Sequence, residues 1–139
     1  VIRTTGPIKY GDGYKYVLRA PWSCNTGIEE ETASLAPWLS LDQHGVLKIE
    51  AGYAWDGASG PTIDSPSVIR ASLAHDALYQ LMRAGKLPQS ARKAADDLFY
   101  QLLLDDGMWF IRAKLWVFAV RRFAASSAAM RGDKTKTAP

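Results

Sequence analysis

In "RASLAHDALYQL", residues 70–81, a histidine and an aspartate stand side by side within helical spacing. His75 is a candidate general base and Asp76 a candidate oxygen ligand for a cation. On a 3.6-residue period His75 shares the face of Ala71, Leu78, Tyr79 and Met82, while Asp76 is rotated about 100° further round. The imidazole is therefore expected to be half buried, and a half-buried imidazole needs hydrogen-bond partners or forfeits roughly 1–3 kcal/mol. The nearest source is "ARKAADDLFYQLLL", residues 91–104, which carries Asp96 and Asp97. If Asp96 faces the first helix, a His75–Asp96 hydrogen bond would fix the tautomer and raise the basicity of the other nitrogen, as a general base requires. Asp76 would then point toward the preceding loop, where Asp56, the carbonyls of Gly57 and Gly60, and the Ser59 hydroxyl are all oxygen donors. That donor set suits calcium better than zinc. The plainer alternative is a satisfied boundary histidine, a ligand-free glycine turn and a solvated Asp96-Asp97 edge. His44, in a turn, is expected to be exposed.

Other chemistries fit worse. The chain has no GxSxG elbow, HExxH helix, Walker-type loop or dinucleotide fingerprint. Its single cysteine, Cys24, can form neither an internal disulfide nor a CxxC site.

The elements that must hold these residues fall into two halves. Residues 14–22, "YKYVLRAPW", and 43–55, "QHGVLKIEAGYAW", have strand chemistry bounded by turns. Residues 27–41 are ambiguous, because an acidic run could start a short helix that Pro37 would interrupt. Glycines and prolines in 56–67 mark a long loop, a length usually tied to function. Ser67 is a plausible N-cap for a helix over 68–84, and Ser90 for one over 91–106 that Gly107 ends. The short link makes these helices antiparallel neighbours. A third helix, 108–123, is apolar apart from Arg112, Lys114, Arg121 and Arg122. Too short to span a bilayer, it is expected either to pack on the helical pair or to lie on a membrane surface. The fold class is α+β: a small antiparallel β portion over about 8–55, a glycine/proline loop, and three helices.

At 139 residues, with 47% hydrophobic content, the chain can bury a core as one domain over 1–123, with 124–139 a flexible tail. The net charge of +3 is concentrated in the last third, which implies a local basic surface. No nucleic-acid partner is expected. The opening "VIRTTGPIKYGDG" is not a signal peptide.

Taken in order, "AGYAWDGASGP", "RASLAHDALYQ" and "SARKAADDLF" resemble a family found mainly in tailed bacteriophages and prophages, catalogued as domain of unknown function 1353. Its outline is a strand ending in TDxASxP, a helix with HDxLY and a helix with ADxxF. The matching positions are Asp56, Ala58, Ser59 and Pro61, then His75, Asp76, Leu78 and Tyr79, then Ala95, Asp96 and Phe99, with Trp55 where threonine is usual. The resemblance covers about residues 45–105 and brings no settled activity. It implies a phage virion or a host bacterial cell, in the cytoplasm or at the inner-membrane surface. More distantly, the chain looks like the helix-hairpin core of calcium-dependent secreted phospholipases A(2). That likeness implies that His75 is the base, Asp76 a calcium ligand, and Tyr79 and Asp96 the groups that orient His75. Two functions are thus in view: calcium-dependent hydrolysis of an ester in a lipid or envelope component, or a non-catalytic tail or tail-tip protein, binding other virion proteins, with a buried His-Asp network.

Overall fold

Short strands joined by tight turns build the first part of the chain: β1 (Tyr10–Gly11), β2 (Tyr16–Leu18), β3 (Trp22–Asn25), β4 (Ala33–Leu35), β5 (Leu39–Leu41), β6 (Val46–Ile49) and β7 (Ala54–Trp55). The structure is a computed structural model and describes residues 10–11, 16–29, 31–55 and 66–124. Three helices follow, α1 (Pro66–Arg83), α2 (Arg92–Asp105) and α3 (Phe110–Ala124), so the fold class is α+β.

The strands form two antiparallel sheets, one in the order β1-β2-β7 and the other β3-β6-β5-β4. In the larger sheet, period-two alternation decides which face is buried. Cys24, Leu47, Leu41 and Ala33 stand in register on the inner face, and Ser23, Lys48, Ser40 and Ser34 in register on the exposed outer face. The turn into β6 needs glycine at position 45. There φ is +84°, and a β-carbon would lie 2.8 Å from the Ile28 carbonyl oxygen. His44, in the same turn, is exposed as expected.

Two strand readings are corrected. The segment 14–22 is not one strand, since β2 ends at Leu18 and β3 starts at Trp22, each in a different sheet. The interruption at Arg19-Ala20-Pro21 is where the chain changes sheets. The ambiguous 27–41 is no helix: β4 and β5 form a hairpin with Pro37 in its turn.

The helix starts also differ. α1 begins at Pro66, so Ser67 lies inside its first turn rather than at the N-cap; proline suits that opening position because its missing N–H has no intrahelical partner there. A 3-10 turn over Gln89–Ala91 runs into α2, which makes Ala91 its N-cap and leaves Ser90 within the turn. Both C-terminal ends follow the sequence. Gly85 (φ +73°) and Gly107 (φ +92°) adopt the left-handed conformation after α1 and α2. The following amides, Lys86 to Leu81 and Met108 to Leu103, close Schellman motifs.

α1 is the centre of the molecule. Instead of one apolar stripe it is buried on nearly all sides along Val68–Met82. The β7 region lies on one flank, where Trp55 Nε1 donates to Ser72 Oγ at 3.0 Å and the Tyr53 hydroxyl donates to Gln80 Oε1 at 2.7 Å. On the other flank α2 runs antiparallel, and Arg70 near the start of α1 pairs with Asp106 just past the end of α2. A continuous apolar core joins the sheets to all three helices. The loop 56–67 lies outside the described residues up to position 65, and the tail beyond Ala124 wholly so.

Candidate active site

His75 and Tyr79 lie one turn apart on α1 and face α2, which presents Asp96 and, one turn later, Phe99. His75 Nε2 is 2.7 Å from Asp96 Oδ1, and the Tyr79 hydroxyl donates to the same oxygen at 2.8 Å. The imidazole makes tilted contacts with two rings, its centroid 4.2 Å from that of Tyr79 and 5.1 Å from that of Phe99. All four side chains are buried, and His75 is only 4% exposed, deeper than the half-burial expected. The reason is that His75 faces α2, where Asp96 and Phe99 close on the ring.

The electrostatics follow from this burial. Desolvation pulls the His75 pKa below its ordinary value of 6.5, with Asp96 opposing through its hydrogen bond and charge. Burial pushes Asp96 upward, but the hydrogen bonds from His75 and Tyr79 and the charge of Arg121 outweigh it, and its pKa ends below 3.8. Burial, then the bond to Asp96, pushes the Tyr79 hydroxyl up, so it stays a donor at all ordinary pH. At neutral pH the arrangement is therefore a carboxylate accepting from a neutral imidazole and a neutral phenol. With its proton on Nε2, the ring keeps its lone pair on Nδ1.

The two acidic neighbours on α2 divide as the helix period requires. Asp96 faces α1, whereas Asp97 is exposed and pairs with Lys93 at 2.9 Å and Arg121 at 3.5 Å. Arg121 also reaches Asp96, its Nε lying 3.4 Å from Oδ2. In the sequence Arg121 belongs only to a general basic surface, because spacing along the third helix does not show which residues of α2 it meets. A hollow of about 430 Å³ opens beside this contact, lined by Gln89, Ser90, Arg92, Lys93, Asp96 and Arg121. It reaches the site from the Asp96 side and is not lined by His75.

Among the residues expected to bind metal, Asp76 is partly buried next to His75, and its charge bears on Tyr53, in the segment that leads into β7. Asp56, Gly57 and Ser59 lie outside the described residues. Among the described residues no cluster of three or more His, Cys, Asp or Glu side chains could hold a metal ion. Of the four residues expected to bind calcium, the described residues include only Asp76, one carboxylate where such an ion takes six to eight oxygens.

A family model described as Protein of unknown function (DUF1353) matches residues 33–120, well over half of the chain. The chain belongs to this family. The DUF1353 match extends beyond the three motifs on both sides, from β4 into α3, and includes His75, Asp76, Tyr79 and Asp96. No curated protein and no solved structure matches the chain. No helix among the described residues of this DUF1353 protein is long and apolar enough to cross a membrane.

Proposed function

We propose that this protein is a phage-encoded hydrolase in which His75 takes a proton from water and a calcium ion binds at Asp76. Its substrate is an ester in a lipid or envelope component, cleaved during penetration or lysis. The observation that carries this reading is the single Asp96 oxygen bonded to both His75 Nε2 and the Tyr79 hydroxyl. That arrangement orients the imidazole and leaves Nδ1 as the basic atom, which is what general-base attack needs. Asp96, not itself a proton acceptor here, stabilises the imidazolium that forms when Nδ1 takes the proton. Tyr79 and Phe99 pack against the ring and help to hold its orientation. The calcium ligands would be Asp76 with Asp56, Gly57 and Ser59, an all-oxygen set. Such an ion would supply positive charge beside the ester carbonyl.

A second reading has an observation in its favour. The His75 ring is almost fully enclosed, and the hollow beside the site opens on Asp96. A satisfied network of this kind also serves to fix the α1–α2 hairpin, as in a non-catalytic tail or tail-tip protein that binds other virion components. One comparison separates the two. Wild type, His75→Gln and Asp76→Asn are incubated with mixed phospholipid vesicles and millimolar calcium, and released fatty acid is measured beside the melting temperature of each. Hydrolysis by wild type that both folded variants lack supports the hydrolase. No release by wild type, with His75→Gln lowering stability, supports the structural network.

A further inference from the structure

α3 carries apolar side chains on two opposite faces. Ala113, Trp116 and Val117 are buried on the α2 side. Ile111, Leu115 and Phe118, at i, i+4 and i+7 on the other side, are 50%, 65% and 60% exposed, and Trp109 and Phe110 at the helix start are exposed as well. Single exposed apolar residues need no explanation, but a contiguous strip of this kind marks an interaction surface.

Charge selects the occupant. No acidic residue occurs between Met108 and Ala124. At about 100° per residue Arg112 lies on one flank of the strip and Lys114 on the other. Both are exposed, and Lys114 Nζ sits 5.8 Å from the Phe110 ring centroid. Arg121 is turned away toward Asp96 and Asp97. A second copy of this chain would bring the same cationic flanks against themselves, which opposes self-association through this face. An apolar strip of Ile111, Leu115 and Phe118, with long cationic side chains at its edges, instead matches a layer with anionic headgroups above hydrocarbon. The helix has 15 residues, about 22 Å at 1.5 Å each, so it would lie along such a layer and not cross it.

We propose that the face of α3 formed by Ile111, Leu115 and Phe118 docks on the surface of an anionic lipid bilayer, with the helix axis along the plane. This inference does not depend on the hydrolase reading. It is tested by co-sedimentation of the full chain with vesicles of ether-linked phosphatidylglycerol, which have no ester to cleave, and with vesicles of ether-linked phosphatidylcholine. Wild type is expected to pellet with the anionic vesicles, and less so as salt rises. Leu115→Ser with Phe118→Ser should weaken binding by about tenfold or more at unchanged melting temperature. Arg112→Gln with Lys114→Gln should weaken it by roughly fivefold per charge on the anionic vesicles alone. The proposal is overturned if wild type stays in the supernatant, or if the Leu115/Phe118 variant binds as well as wild type. A concentration-dependent dimer that the same variant abolishes would also overturn it, by placing a second copy on the face.

Discussion

Asp96 Oδ1 stands 2.7 Å from His75 Nε2 across the α1–α2 interface, with both side chains buried. The same oxygen accepts from Tyr79, so one carboxylate satisfies two donors that α1 would otherwise bury unpaired. Removing it therefore costs more than one bond. Asp96→Ala should destabilise the protein by about 3–5 kcal/mol, because it strands both donors and empties the space between the helices. Asp96→Asn, whose carbonyl can still accept, should cost less. Urea unfolding of the two variants checks the order; equal effects would contradict the shared-acceptor geometry.

Acidification should destabilise the fold in two stages. His75 has its pKa lowered by burial, so below about pH 6.5 the unfolded chain takes up a proton that the folded site refuses, and stability falls. Asp96 is lowered as well, and its contribution, present above the ordinary value of 3.8, is lost as pH drops through its depressed value. Both act in the same direction. Urea midpoints measured from pH 7.5 to 4.5 should fall with pH, and His75→Gln should remove the part that begins near 6.5. A wild-type midpoint that rises between pH 7 and 5 would refute this linkage.

Calcium should raise the melting temperature of wild type and leave Asp76→Asn unchanged, since a ligand that binds only the folded state stabilises it in proportion to the logarithm of its concentration. Differential scanning calorimetry with and without millimolar calcium reads this directly. Equal shifts in both proteins would remove Asp76 from the cation site.

Arg70 and Asp106 tie the start of α1 to the end of α2 through a partly buried ion pair with contacts from both Nε and Nη2. Arg70→Ala should cost about 1–3 kcal/mol in urea unfolding. Arg70→Lys should restore only part of that, because an ammonium cannot reproduce the two-point contact.

What the sequence made legible depends on how local each property is. The convergence of His75, Tyr79 and Asp96 was readable because helical spacing and a short link between antiparallel helices fix it. The depth of His75 was not, since it is set by how Asp96 and Phe99 of α2 close on the ring, and those contacts join separate elements. Strand propensity over 14–22 was likewise real, but the sheet each part joins is a long-range choice made at Pro21. On α3 the apolar composition hid two faces: Trp116 is core and Leu115 beside it is exposed, a division that only docking on α2 creates. Of the two placements the sequence offered for this helix, packing on the helical pair is the one seen, and it leaves Ile111, Leu115 and Phe118 exposed.

The claim that His75 is held as a neutral base with its proton on Nε2 and Nδ1 unprotonated is tested most directly by a long-range ¹H–¹⁵N correlation spectrum of its ring at pH 7. The structure requires the proton on Nε2 and a lone pair on Nδ1. A proton on Nδ1, or a doubly protonated ring at neutral pH, would contradict it.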